Sequence, residues 1–152
     1  MAPAGVDLAP DDLEAPVSAA LHRLPLRLTS GAFILNSGIG KFSLDAESAA
    51  GLQAMAGNAF PQLKDMRPEE FGKLLAIGET ALGAAILAPF VPRVVAGLGL
   101  TAFSGALLWM YHKTPGLTKD GVRPTPDGVG IAKDVFMLGA GLSLLLDNRR
   151  KK

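Results

Sequence analysis

Glu79 is the residue whose chemistry most needs explaining. It lies inside the apolar run FGKLLAIGETALGAAILAPFV, which begins at Phe71, with Gly78 before it and Gly83 beyond it. A carboxyl group within such a run is costly in lipid and asks for a partner or a role. Lys41, in LTSGAFILNSGIGKF, and the neighbours Lys133 and Asp134, in VGIAKDVFMLGAGLSLLLD, are set in apolar surroundings in the same way. Carboxylates and ammoniums so placed do one of two jobs. They pair across helices and fix packing, or they handle protons or bind a ligand. Pairing is the simpler expectation, with Lys41 as the cation for Glu79. The alternative is proton- or cation-coupled transport that uses Glu79 and Asp134.

Other chemistries are scarce. The chain has no cysteine, which removes disulfides, thiolate zinc sites, iron–sulfur clusters, c-type haem attachment and thiol–disulfide exchange with a quinone. The two histidines, His22 and His112, precede the first apolar segment and follow the third. That places them on opposite sides of a bilayer, about 30 Å apart, too far to clamp one haem. His112 beside loop carboxylates is weak evidence for a metal. No catalytic residue, metal ligand or intrinsic cofactor is expected, and no phosphate-loop or dinucleotide pattern occurs. The net charge is +1, with no basic patch interleaved with aromatics, so nucleic acid is set aside.

The elements that must position these residues are membrane helices. Of 152 residues, 49% are hydrophobic and 19% charged, and the mean hydropathy is +0.30. A soluble domain carries about 25% charge. Four apolar segments, about 24–42, 71–90, 93–111 and 129–147, approach the roughly 20 residues that one crossing takes. The expected fold is all-α, an integral membrane four-helix bundle over 24–147. Residues 43–70 join the first two segments and could hold a short interfacial helix in AESAAGLQAMAGNAF. The Pro- and Gly-rich HKTPGLTKDGVRPTPDGVG before the fourth segment reads as irregular loop. Residues 1–23 read as a flexible acidic, Pro-rich tail with no secretory signal, and 148–152 as a basic tail.

Four crossings put both termini on one side, and the basic tail argues that this side is cytoplasmic. Whichever way the chain inserts, Lys41, Glu79, Trp109, Tyr111, His112, Lys133 and Asp134 fall in the half that carries the long loops. Arg27 and Arg93 fall in the other half. Glu79 is about eight residues into its segment, roughly 12 Å at 1.5 Å per residue. Arg27 and Lys41, near the ends of theirs, are placed to snorkel toward headgroups. Trp109 and Tyr111 suit an interfacial aromatic belt. Gly31 and Gly38, the stripe Gly97, Thr101 and Gly105, and Gly139 with Ser143 let helices come close.

Three stretches resemble the DoxX family of small four-helix membrane proteins. LRLTSGAFILNSGIGKF is similar to that family's opening with Arg, Gly, Phe, Gly and Lys-Phe. GETALGAAIL, followed by the Pro92-Arg93 turn, is similar to its second segment, and KDVFMLGAGLSLLLD to its last. The resemblance implies a multi-pass protein of the bacterial plasma membrane, with Lys41, Glu79 and Arg93 at the recurrent charged positions. It also implies a non-catalytic subunit or scaffold beside a membrane oxidoreductase of respiration or oxidative-stress defence. Some relatives are small subunits of a thiosulfate:quinone oxidoreductase. The partners expected are the bilayer and other membrane subunits, with quinone reached through a partner.

Overall fold

The structure, a computed structural model, describes residues 21–147. Residues 1–20 and 148–152, most of the two expected tails, lie outside the described residues. The helices are α1 (Leu24–Lys41), α2 (Ala46–Ala59), α3 (Pro68–Leu87), α4 (Arg93–Lys113), α5 (Val129–Ala132) and α6 (Asp134–Leu146), with a 3₁₀ turn over Pro61–Asp65. Among the described residues there is no strand, only an isolated antiparallel bridge between Thr118 and Pro124.

Local chemistry sets the boundaries. Asp45 caps α2, its side chain accepting from the Ser48 N–H at 2.7 Å. Pro68, Glu69 and Glu70 form the first turn of α3, where proline lacks only an N–H that would be unpaired anyway. That helix stops at Leu87, not at Phe90 as the hydropathy suggests. Ala88 precedes Pro89 and is driven to ψ 117°, out of the helical region. Thr114, before Pro115, ends α4 in the same way at ψ 118°. The last segment is not one helix. It breaks at Lys133, whose N–H points to the Ile131 and Val129 carbonyls, and restarts at Asp134.

The helices form two tight pairs, α1 with α3 and α4 with α6, and the pairs meet each other more lightly. Glycine makes each pairing close. A Cβ on Gly38 of α1 would sit 2.5 Å from the Thr80 backbone nitrogen of α3, and one on Gly83 would run into the Leu35 backbone. A Cβ on Gly141 of α6 would sit 2.8 Å from the Thr101 nitrogen of α4. The expected small-residue stripes are therefore partly corrected. Gly31, Gly38, Gly97 and Thr101 face neighbours, but Gly105 and Gly139 face open space, and Gly141 does the work expected of Gly139. Gly38→Val should lower the stability of the purified protein by at least about 1–3 kcal/mol, the range for overpacking. Gly105→Ala should leave it unchanged. Thermal unfolding in detergent measures both, and equal effects would remove the close-approach argument.

Where the pairs meet, Ile34 and Ile86 pack on Ala96, Leu100 and Leu144 in the core. The outer faces are apolar as well: Phe33 is 65% exposed, Ile77 57%, Leu98 56% and Phe136 77%. Among the described residues, two helical segments, Arg93–Lys113 and Val129–Leu146, are long and apolar enough to cross a membrane. The charges of Arg27 and Lys41 in α1, and of Lys73 and Glu79 in α3, lower the hydropathy of the other two.

Candidate functional site

Between the two pairs lies a cavity of about 830 Å³ with mostly apolar walls. The Ile34 end of the core forms its floor, and Leu52, Met55 and Phe60, from α2 and its C-terminal cap, close it on the long-loop side. Gln53 holds this cover in place by donating to the Leu63 carbonyl at 2.8 Å and to the Met66 carbonyl. The residues 46–60, expected as a short helix, thus fold over the bundle as a roof.

Lys41, Glu79, Lys133 and Asp134 all line this cavity. Glu79, the twelfth of the 20 residues of α3, is 4% exposed. The helix begins at Pro68, so Glu79 lies further along it than the run from Phe71 suggests. Lys41, the last residue of α1, turns inward and donates to Glu79 Oε2 at 2.8 Å and to Ser37 Oγ at 2.6 Å. The close α1–α3 contact at Gly38 and Thr80 aligns the two chains for this ion pair. Lys133 and Asp134 lie where the last segment breaks, and neither makes a salt bridge or side-chain hydrogen bond among the described residues.

Arg27 and Arg93 lie at the far end and serve the backbone. The Arg27 guanidinium donates to the carbonyls of Ile86 (2.6 Å), Ala88 (2.6 Å) and Val91 (3.1 Å), with a longer contact to Ala85 (3.4 Å). It caps the carboxyl end of α3, where carbonyls lack helical partners and the helix dipole favours a cation. Arg93 does the same for α6, donating to Leu144 at 3.0 Å and Leu145 at 3.3 Å. Snorkelling of Arg27 and Lys41 toward headgroups is thus not what the structure shows, because each finds acceptors inside the bundle.

His112 lies outside the cavity lining. Its Nδ1 is 3.2 Å from the Gly121 carbonyl, and its ring neighbours Trp109. Tyr111 is buried and donates to the Val122 carbonyl at 2.8 Å, so it anchors the last loop instead of facing an interface. Trp109 is about half-exposed, with the Lys113 ammonium 4.5 Å from its ring centre. The loop itself is more ordered than its composition suggests. Lys119 and Thr125 donate backbone bonds to Arg123 and Leu117, each at 2.9 Å. The Arg123 backbone N–H, then its side chain, hold the Asp120 carboxyl below its ordinary value.

Two groupings were not read from the sequence. Ser37 as a second partner of Lys41 was available from the i,i+4 spacing. The cluster of Asp147 with Arg23 and His22 joins the two ends of the described chain and carried no local signal.

No curated protein and no solved structure matches the chain. The model of the DoxX family matches residues 22–112, which include Arg27, Lys41, Glu79, Arg93 and His112 and stop short of Lys133 and Asp134. That match takes in α1 to α3 and all but the last residue of α4, more than half of the sequence, and the chain belongs to the DoxX family.

Proposed function

We propose that this protein is a four-crossing subunit of the bacterial plasma membrane that holds or assists a membrane oxidoreductase, near the quinone pool, without catalysing a reaction on its own. One observation carries the membrane part: large apolar side chains point outward on α1, α3, α4 and α6, while Glu79 and Lys41 pair inside. This distribution suits lipid outside and polar groups within. Only 33% of the apolar window in Arg93–Lys113 and 11% of that in Val129–Leu146 is buried, which is far from the core helices of a soluble protein. Family membership, together with a chain that has no cysteine, supports a supporting role beside a redox enzyme.

In the four-crossing reading, Ser43 and Val122 lie outside the cell and Phe90 lies inside. The chain has no cysteine of its own, so single cysteines at these positions can be probed with an impermeant thiol reagent in intact cells. Ser43→Cys and Val122→Cys should react and Phe90→Cys should not. The opposite pattern would reverse the orientation, and uniform reaction would contradict four crossings. Extraction in a mild detergent should recover a stoichiometric redox partner. The second reading, ion-coupled transport, is favoured by one observation: Glu79 and Asp134 face the same cavity. A protein that purifies alone, and drives proton flux in vesicles that Glu79→Gln abolishes, would replace the subunit reading with this one.

A further inference from the structure

The cavity has the build of a ligand site. Its volume of about 830 Å³ falls within the roughly 300–1,000 Å³ typical of pockets for small organic molecules. It has an apolar body and a polar end, the usual arrangement for an oriented amphiphile. Two cavity-lining side chains, Phe33 of α1 and Phe136 of α6, are also 65% and 77% exposed. The wall therefore reaches the outer surface between α1 and α6, which touch each other only lightly. In the four-crossing reading, on which this inference rests, that surface is lipid, so the cavity opens sideways into the bilayer.

The polar end selects the head group. Of the three protons on the Lys41 ammonium, one goes to Ser37 and one to Glu79, which leaves one to donate. Glu79 uses only Oε2 in the ion pair, and Oε1 accepts nothing from the described residues. Asp134, half-buried at the start of α6, adds a further acceptor on the facing wall. A donor and an acceptor thus stand side by side. The carboxylates and ammoniums that line the cavity balance in number. A charged head would unbalance them in a mostly apolar cavity, where an uncompensated charge is costly. A hydroxyl both donates and accepts and brings no charge.

We propose that the cavity binds a neutral lipophile with a hydroxyl-bearing head, drawn from the bilayer past Phe33 and Phe136, with its head among Lys41, Glu79 and Asp134 and its apolar body against α4 and α6. Two membrane sources share this chemistry, lipid-soluble phenols and hydroxylated glycerolipids.

The test uses the full-length protein in lipid nanodiscs and a 4-alkylphenol with a photoreactive diazirine in its chain. Crosslinked peptides are mapped by mass spectrometry. Labelling should concentrate on cavity-lining positions such as Phe103 and Met137 rather than on outward positions such as Ile77 and Leu98. 4-Decylphenol and 1-decanoylglycerol compete as the two neutral sources, and whichever displaces the probe identifies its class. Decylammonium and decanoate, the charged counterparts, should compete at least about tenfold less well. Ala106→Phe and Ala140→Phe, which fill the cavity, should reduce cavity labelling by at least about tenfold, the scale on which pocket fit discriminates. Gly105→Ala, on a face with no neighbour, should not. Each variant is first checked for an unchanged melting temperature. Labelling spread over the outward faces, equal competition by charged compounds, or full labelling of both filled variants would overturn the proposal. If the cysteine pattern holds while photolabelling misses the cavity, the ligand site alone is lost. If the cysteine pattern fails, access from lipid is lost with it.

Discussion

Replacing Arg27 with alanine should destabilise the protein more than any other single change among its charged residues, by about 3 kcal/mol, the upper end of the range for leaving a buried polar group without its partner. The guanidinium serves the carbonyls of Ile86 and Ala88, where α3 ends before Pro89, and that of Val91 in the turn that follows. Ile86 is fully buried and Ala88 and Val91 are partly so, and loss of the donor leaves their carbonyls short of a partner at once. Arg27→Lys should recover only part of the loss, because an ammonium cannot reproduce the planar fork that spans three carbonyls. Arg93→Ala should cost less, since Arg93 reaches two carbonyls through one nitrogen. Thermal unfolding in detergent ranks the three variants. An Arg27→Ala protein as stable as the parent would show that these carbonyls find other donors.

Glu79→Leu is expected to have the next largest effect, and Glu79→Gln a small one. Two magnitudes compete here. Removing one partner of a buried ion pair in a soluble protein costs about 3–5 kcal/mol. Hydrogen bonds between membrane helices average only about 0.6 kcal/mol in double-mutant cycles. Glu79 is 5% exposed at its side chain and Lys41 19%, so the pair is buried, but Lys41 ends its helix and can turn toward the loops when released. The outcome should therefore fall between these limits, and Lys41→Met combined with Glu79→Leu should recover stability lost by Glu79→Leu alone. Glutamine keeps an acceptor for Lys41 and should fold normally. A Glu79→Leu protein with unchanged melting temperature and unchanged partner recovery would remove the structural role of the pair. Flux lost in Glu79→Gln with stability intact would assign the carboxylate to transport.

Composition and periodicity determined several things about this protein. Apolar run length determines where the long helices lie, because a helix in lipid must be apolar over a known span. Proline and acidic residues determine where α3 starts, and the alternation of segments determines that Lys41, Glu79, Lys133 and Asp134 share one half of the molecule while Arg27 and Arg93 occupy the other. The short motifs around Lys41 and Glu79 carry the family, and the family match covers that region.

Tertiary structure decided the rest, for reasons that do not operate at neighbouring positions in the chain. Which glycines matter depends on what lies across the helix: Gly38 and Gly141 each meet a threonine on a partner helix, while Gly78, Gly105 and Gly139 meet nothing. Side-chain direction depends on the acceptors within reach. Arg27 and Lys41 turn inward because carbonyls of α3 and the Glu79 carboxylate lie closer than any headgroup needs to be. The first helix of each pair carries an arginine that caps the end of the second, a shared device visible only once Arg27 and Arg93 are seen at their carbonyls, 51 or more residues away in sequence. The cavity is also a product of assembly. It exists because α1–α3 and α4–α6 each pack tightly and meet loosely, and because α2 folds back over the gap. No local pattern of apolar residues distinguishes a wall that faces a cavity from one that faces lipid.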